Sequence, residues 1–515
     1  MPTYDYAILG GGSAGCILAN RLSANPDCTV VLLEAGSWVD DPDMRLPERW
    51  PLNYGRSYDW AYWTMPQAGL GGRRLDWPRG KGFGGSSLLH AMAHMRGCRE
   101  DFDAWVATTG DSGWGWDALL PYFRQMEDFA GGESLVHGID GPLAVMRPGS
   151  DLLNPVVNDY IAGWQELGVP LIADHNGGQM LGVTANSLTI SQGQRVTVAD
   201  AYLTPIMDRP NLEVIGDATV DRLEVQGRSV SGIAYSVAGR AERLTANRIV
   251  LALGALASPM LLMRSGIGDP GELTAVGVTP IVESCEVGKN LQDHLLAGNV
   301  YRSTKPVPPT RLQVSESMTY LKPSDITATT GAPDVVVGCA AALATSSELT
   351  ARVQHLIPGQ GYTLFCGVTR PTSRGQLRLS GPAADDEPLI DPNYLDTTRD
   401  RENFVAALHL AREVGRSHAL ESWMAEEILP GPTVQSAEEM LDFIRQAAIT
   451  HHHPVSTLRM GSDETAPVAS DLAFRGLDNL TVADASVIPT IVSGPVHAAV
   501  LAIAERHADQ LLARH

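Results

Sequence analysis

The sequence predicts an α/β chain of two domains. Three observations predict it. The chain opens on a strand, a glycine turn, a helix and a second strand; a run of short β segments near its middle ends in another strand-to-helix turn; and 515 residues exceed what one ordinary core organises. Tyr6 to Leu9 is the first strand, Ser13 to Leu22 carries helical apolar spacing, and Cys28 to Leu33 is a continuous apolar run, as in a strand buried on both faces. Leu52 to Gln67 reads as an ordered aromatic loop, and Arg79 to Ser87 is dense in glycine. From Asn211 to Ile249 short β segments alternate with turns, and Arg248 to Leu253 runs into Gly254 and a helix. Between about Val300 and Leu395 strand-like runs broken by prolines suit a separate sheet. Asn403 to Val414 and Ser436 to Ala447 are predicted helices, and a long final helix starts at His497.

Composition excludes several classes of function. Apolar residues at 44% and charged residues at 19% are those of a globular enzyme. A net charge of −21 repels nucleic-acid phosphates and anionic lipid. Six scattered cysteines without a CxxC pair give no disulfide framework or zinc site. The longest apolar stretch, Ile249 to Met263, is too short to span a bilayer, and no targeting segment is visible, so the expectation is cytoplasmic.

Gly10-x-Gly12-x-x-Gly15 follows the first strand and opens the first helix. Gly10 permits the turn, Gly12 lets the backbone approach a pyrophosphate, and Gly15 lets helix and strand pack closely; the helix-start N–H groups then hold phosphates. Glu34 ends the next strand, placed to accept from a ribose hydroxyl. Gly80-x-Gly82-x-x-Gly85 fits the same string without a preceding strand, so the string alone does not decide. Gly11-x-Ser13-x-Gly15 also matches the hydrolase nucleophile elbow, which makes a serine hydrolase using Ser13 a rival reading. That reading leaves Glu34 and the second glycine loop without a role.

Five blocks in order give the chain a resemblance to the glucose–methanol–choline (GMC) oxidoreductases: Ile8 to Asn20 with Leu33 to Gly36, Gly80 to Arg96, Gly254 to Gly268, Gly288 to His294, and His453 to Gly461 with Val482 to His497. The resemblance implies an FAD-binding Rossmann-like domain assembled from residues 1–155, 212–300 and 446–515, with an antiparallel-sheet-and-helix substrate domain inserted as 156–211 and 301–445. It implies FAD phosphates on Gly10, Gly12, Ser13, Ala14 and Gly15, the adenosine ribose on Glu34 and Ala35, and the second loop, Gly84, Gly85 and Ser86, near pyrophosphate and flavin. Successive exposed N–H groups there form an anion nest. By the same likeness Val220 meets the adenine, and Asp484 and Ala485 lie near the ribityl chain. His90 stands one position beyond the histidine that some relatives join covalently to FAD, so noncovalent FAD is expected. Pro495 replaces a usual donor, which leaves the flavin contact at Val496 open.

The resemblance makes His453 the catalytic base and His497, 44 residues on, its partner. Alcohol oxidation removes the hydroxyl proton as hydride leaves carbon, and a histidine near its ordinary pKa accepts that proton at neutral pH. A second polar group nearby aims the C–H bond. The three consecutive histidines 451–453 would at most direct two rings at one ion, since neighbours in an extended segment point oppositely, so no metal is expected. Trp60 to Gln67 resembles a segment near the active site. The expected function is oxidation of a primary alcohol to an aldehyde; the breadth of the family suggests an aromatic or heteroaromatic ring, and which alcohol is left open. Electrons would pass to O2 or another acceptor, with a protonated histidine favouring an oxidase. A non-redox lyase of the hydroxynitrile type is the alternative, and the oligomeric state is left open.

Overall fold

The computed structural model describes residues 3–356 and 361–514. β1 (Thr3–Leu9) leads through the glycine turn into α1 (Ser13–Leu22) and β2 (Val30–Leu33), whose four residues are all buried, as a strand covered on both faces requires. After a long excursion the chain returns as β3 (Leu212–Ile215), β4 (Ala218–Gln226), β5 (Ser229–Val237), β6 (Arg240–Leu251) and α2 (Gly254–Arg264). The next stretch supplies β7 (Leu295–Ser303), β8 (Ser315–Leu321), β9 (Val335–Ala340), β10 (Gly361–Val368), β11 (Met424–Leu429) and β12 (Ile449–Thr450). The tail adds β13 (Leu480–Val482) and α3 (His497–Leu512).

Two sheets result. In the first, β3, β2, β1, β6 and β13 run parallel in that order, while β5 and β4 extend the sheet antiparallel from the other half of β6. One strand serves both parts because it is long. Arg240 to Leu244 pairs with β5 and is largely exposed, whereas Thr245 to Leu251 pairs with β1 and ends buried. In the second sheet the order is β8, β9, β10, β7, β11, with β12 also paired to β7, all antiparallel. All of β7 belongs to this sheet, including Leu295 to Asn299. The helix predicted at Asn403 to Val414 lies within Thr398–Gly415, and that of Ala437–Ala447 starts at a Ser436/Glu439 capping box.

α3 lies along α1. Arg21 at the end of α1 ion-pairs with Glu505 and Asp509, and Glu505 also accepts from Tyr202 and Gln125 at 2.8 and 2.9 Å. A buried carboxylate so surrounded fixes how the two helices meet. Their N-terminal ends therefore share one side of a single large cavity, of about 530 Å³, that runs between the two sheets.

Candidate active site

At one end of the cavity the two glycine loops are joined. Gly84 donates its N–H to Gly11 O at 2.8 Å, and a Cβ on Gly85 would stand 2.7 Å from Gly12 Cα. A Cβ on Gly15 would stand 1.8 Å from Gly10 O, so no side chain fits there. Around Gly12, by contrast, nothing lies closer than 3.8 Å to such a Cβ, and the residue faces the cavity. Neither α1 nor α3 has a side-chain cap on its first-turn N–H groups. Two uncapped helix starts at one cavity are suited to a pyrophosphate. Glu34 clamps both loops: its carboxylate accepts from Gly11, Gly36 and Gly82 N–H at 2.8, 3.0 and 2.9 Å. Burial raises its pKa to about 7 against the pull of those donors. It still lines the cavity with Ala35, where a ribose hydroxyl would reach it.

Val220 also lines this end, at a β-bulge that shifts register between Val220 and Arg222, and its carbonyl accepts from Arg264 at 3.3 Å. Tyr62 stacks on Trp60, and both rings line the cavity together with Val220 and Arg264. Asp484 spends its carboxylate inward, accepting from Gly254 N–H and Ser258 Oγ at 2.9 and 2.6 Å and from Ser486 N–H at 2.8 Å. It ties the start of α2 to the tail and leaves Ala485 beside it on the cavity wall.

At the other end stand the histidines. β12 pairs with β7, Thr450 opposite Leu295, and this register brings His294 beside the 451–453 run. His452 takes φ +66°, a kink that sets its neighbours' rings on one side, 4.3 Å apart by centroids. His453 Nδ1 lies 2.9 Å from His294 Nδ1, and His294 Nε2 donates to Thr369 O at 2.8 Å. The His453 backbone N–H donates to Asp293 Oδ1 at 2.7 Å; Asp293 Oδ2 accepts from Thr450 Oγ1 at 2.6 Å and from Tyr394 OH. Burial raises Asp293 to about 6. Arg79 donates to His452 O at 2.9 Å. Burial, with the neighbouring imidazoles and the Arg79 guanidinium, holds His453 well below the ordinary histidine range; burial takes His451 to about 3 and His294 to about 4. Ligand atoms of His294, His451 and His453 lie within 4.8 Å of one another. The 2.9 Å approach of His294 to His453 is a hydrogen bond, shorter than the ~3.3 Å separating two nitrogens on tetrahedral zinc.

His497 makes its contacts on the side of the glycine loops. Among the described residues the rings meeting His453 are those of His294 and His451. His497 Nε2 instead lies 3.1 Å from Ser13 Oγ, and its ring lies edge-on to His90 at 4.7 Å. The cause is its place in the first turn of α3, carried onto the phosphate loop by α1. Burial lowers its pKa to about 3 and, with neighbouring charges, holds His453 well below the ordinary range, so both rings are neutral at rest. His90 Nδ1 accepts from Met92 N–H and Arg195 at 3.0 and 3.1 Å, leaving its Nε2, like His497 Nδ1, buried without a partner on the cavity wall. The Ser13–His497 contact has no carboxylate behind it, because the histidine's other nitrogen is the orphan; a hydrolase triad is not assembled.

Residues 4–296 and 371–504 match the two sequence models of the GMC oxidoreductase family. This chain is a GMC oxidoreductase. The pyridoxine 4-oxidase of Microbacterium luteolum is 49% identical across 98% of this GMC oxidoreductase and 99% of the relative. An alcohol dehydrogenase (acceptor) of Pseudomonas putida is 35% identical over 98% and 95%. Among solved structures, a pyridoxine 4-oxidase from Mesorbium loti superposes over 100% of both chains with TM-score 0.96 and 47% identity. A formate oxidase superposes over 100% of this chain and 98% of the other with TM-score 0.89 and 26% identity. The fold is the α/β GMC architecture with a Rossmann FAD-binding domain, and the activity is FAD-dependent oxidation of alcohols. The non-redox lyase alternative is not favoured by these relatives.

Sequence reasoning misses Asp293, His294 and His451 as parts of the site. The first two stand in Gly288 to His294, a block that local pattern marks only by its likeness, and His451 is not separable from its neighbours by spacing. Their meeting depends on strand pairing across 159 residues, which local spacing does not encode.

Proposed function

We propose that this GMC oxidoreductase oxidises a hydroxymethyl group on a pyridine-type ring, as in pyridoxine, to the aldehyde and passes the electrons to O2. The observation that carries the reading is the pair of neutral, cavity-lining imidazoles of His451 and His453 at the end of a cavity whose other end is a dinucleotide cradle. The two pyridoxine 4-oxidases support the substrate class and the acceptor. Tyr54, Trp50, Leu296, Met318 and Phe365 on the cavity wall supply apolar surface for a flat ring.

The bound flavin supplies the hydride acceptor. Gly10, Gly12, Ser13, Ala14, Gly15, Gly84, Gly85 and Ser86 would hold its pyrophosphate, Glu34 and Ala35 the ribose, Val220 the adenine, and Asp484, Ala485 and Val496 the remaining chain. The two orphan nitrogens favour a cofactor contact over idle burial. His90 takes two donors at Nδ1, so its hydrogen stands on Nε2; a nitrogen already bearing hydrogen supports noncovalent FAD. At the substrate end His453 accepts the hydroxyl proton as the C–H bond breaks, and His451 holds the same hydroxyl from one side. His497 serves the cofactor through Ser13 rather than the alcohol. All six cysteines are free thiols and five are buried, which supports a reducing, cytoplasmic setting. No described helix is long and apolar enough to cross a membrane.

Anaerobic mixing with pyridoxine tests the reading. Bleaching of the flavin, then recolouring with peroxide release on admitting air, is expected. Flavin that stays oxidised with pyridoxine and with every other primary alcohol tried would refute it.

A further inference from the structure

We infer that His294 is a positioning residue that fixes the tautomer of His453, reserving the nitrogen that faces the alcohol as the basic one. The inference rests on the proposed role of His453 as the base. It starts at a carbonyl. Thr369 O only accepts, and it lies 2.8 Å from His294 Nε2, so that nitrogen carries the ring's hydrogen. Thr369 cannot turn away: its N–H donates to Asp334 O at 3.0 Å and its hydroxyl to Pro333 O at 2.6 Å. A buried neutral imidazole has one ring hydrogen, so His294 Nδ1 is bare. It lies 2.9 Å from His453 Nδ1, with the rings at 84°. Two bare nitrogens at that distance repel; His453 therefore carries its hydrogen on Nδ1, and its lone pair is on Nε2.

The groups around His453 agree with this assignment. His451 and His452 flank it, Arg79 approaches from the second glycine loop and disfavours a positive ring, and Asp293 is spent on the backbone N–H, Thr450 and Tyr394. Among the described residues no carboxylate is hydrogen-bonded to the ring. Two consecutive residues thus act on different parts of the base, Asp293 holding its backbone and His294 its ring. A carboxylate in place of His294 would set the same tautomer but also stabilise the imidazolium. A neutral acceptor sets the tautomer alone.

The tautomer is read directly on the wild-type holoenzyme by nitrogen-15 histidine spectroscopy, with the His453 signal identified by its loss in His453→Asn. Hydrogen on Nδ1 is expected; hydrogen on Nε2 overturns the inference. Two variants give the consequence. His294→Leu removes the acceptor and should lower kcat for anaerobic flavin reduction about a hundredfold with KM changed little. His294→Asp keeps an acceptor-only group and should retain kcat within about tenfold of wild type. Wild-type rates in His294→Leu, or a rate in His294→Asp as low as in His294→Leu, overturn the inference. If His294→Leu fails to take up flavin, the spectrum and His294→Asp decide. If the wild type reduces flavin with no alcohol, the proposed function falls, while the spectrum still decides the tautomer.

Discussion

Replacing Asp293 by Asn separates the charge at this site from its geometry. The buried carboxylate takes three donors: the His453 N–H at 2.7 Å, Thr450 Oγ1 at 2.6 Å and the Tyr394 hydroxyl. Its folded pKa of about 6 lies above the ordinary 3.8, chiefly through burial. For a carboxyl raised in the fold, the stabilising contribution is complete below 3.8 and is lost as pH rises through about 6; ionisation at pH 7 costs about 3 kcal/mol. Catalysis has the opposite sign. Protonation below about pH 6 turns one acceptor site into a donor facing three donors, and a charge-assisted bond worth about 1.5–3 kcal/mol becomes an ordinary one or is lost. That loosens the backbone of the base, and a loss of about 1.4 kcal/mol is tenfold in rate. The substituted amide would offer one carbonyl to the His453 N–H and its NH2 group to the two hydroxyls. Asp293→Asn should melt no lower than wild type near pH 8, reduce flavin roughly tenfold more slowly there, and lack the acidic limb expected of wild type near pH 6. Stopped-flow reduction across the acidic, neutral and mildly alkaline range, with melting curves, checks all three. An acidic limb near 6 that survives in Asp293→Asn would refute the assignment to this carboxyl.

Three further outcomes are expected. His453→Ala should keep its flavin and lose a factor of about 10² to 10⁴ in anaerobic reduction rate, measured by stopped flow. Gly15→Ala, with a Cβ placed 1.8 Å from Gly10 O, should yield no yellow protein, whereas acid precipitation of the wild type should release all of its yellow colour into solution, as noncovalent flavin requires. His137 lies between Glu127 and Asp174, and their hydrogen bonds and charges raise its pKa against burial; its contribution to stability is full below 6.5 and is lost as pH rises through the raised folded value. Melting temperature should therefore fall with rising pH across that range in the wild type, and less in His137→Gln.

What is legible in the sequence is what adjacent residues determine. The β1–α1 turn follows from three glycines at fixed spacing, the buried β2 from an unbroken apolar run, and Glu34 from its position at the end of that run. Clamping of both glycine loops by Glu34 is not legible, since Gly82 reaches it from 48 residues away. Likewise the family likeness suggests His453 and His497 as a pair, but it does not say where a helix start is carried. Packing of α3 on α1 delivers His497 to Ser13, and pairing of β7 with β12 delivers His294 to His453. The ordinary pKa expected for His453 fails for the same reason: its burial, and the Arg79 guanidinium beside it, are tertiary facts.

That lowered basicity constrains how the alcohol is activated. A histidine orienter without charge and a guanidinium nearby leave His453 deprotonated throughout the neutral range, so no fraction of the enzyme waits in the wrong state. The same surroundings make its conjugate acid strong, and an alcohol far too weak an acid to yield a free alkoxide to it in advance. Proton transfer to Nε2 becomes favourable only as the C–H bond breaks and the oxygen's developing charge passes into a carbonyl. Positioning then matters more than base strength, and the site is built accordingly: Asp293 fixes the backbone of the base, His294 fixes its ring, and the φ +66° kink at His452 aligns His451 beside it.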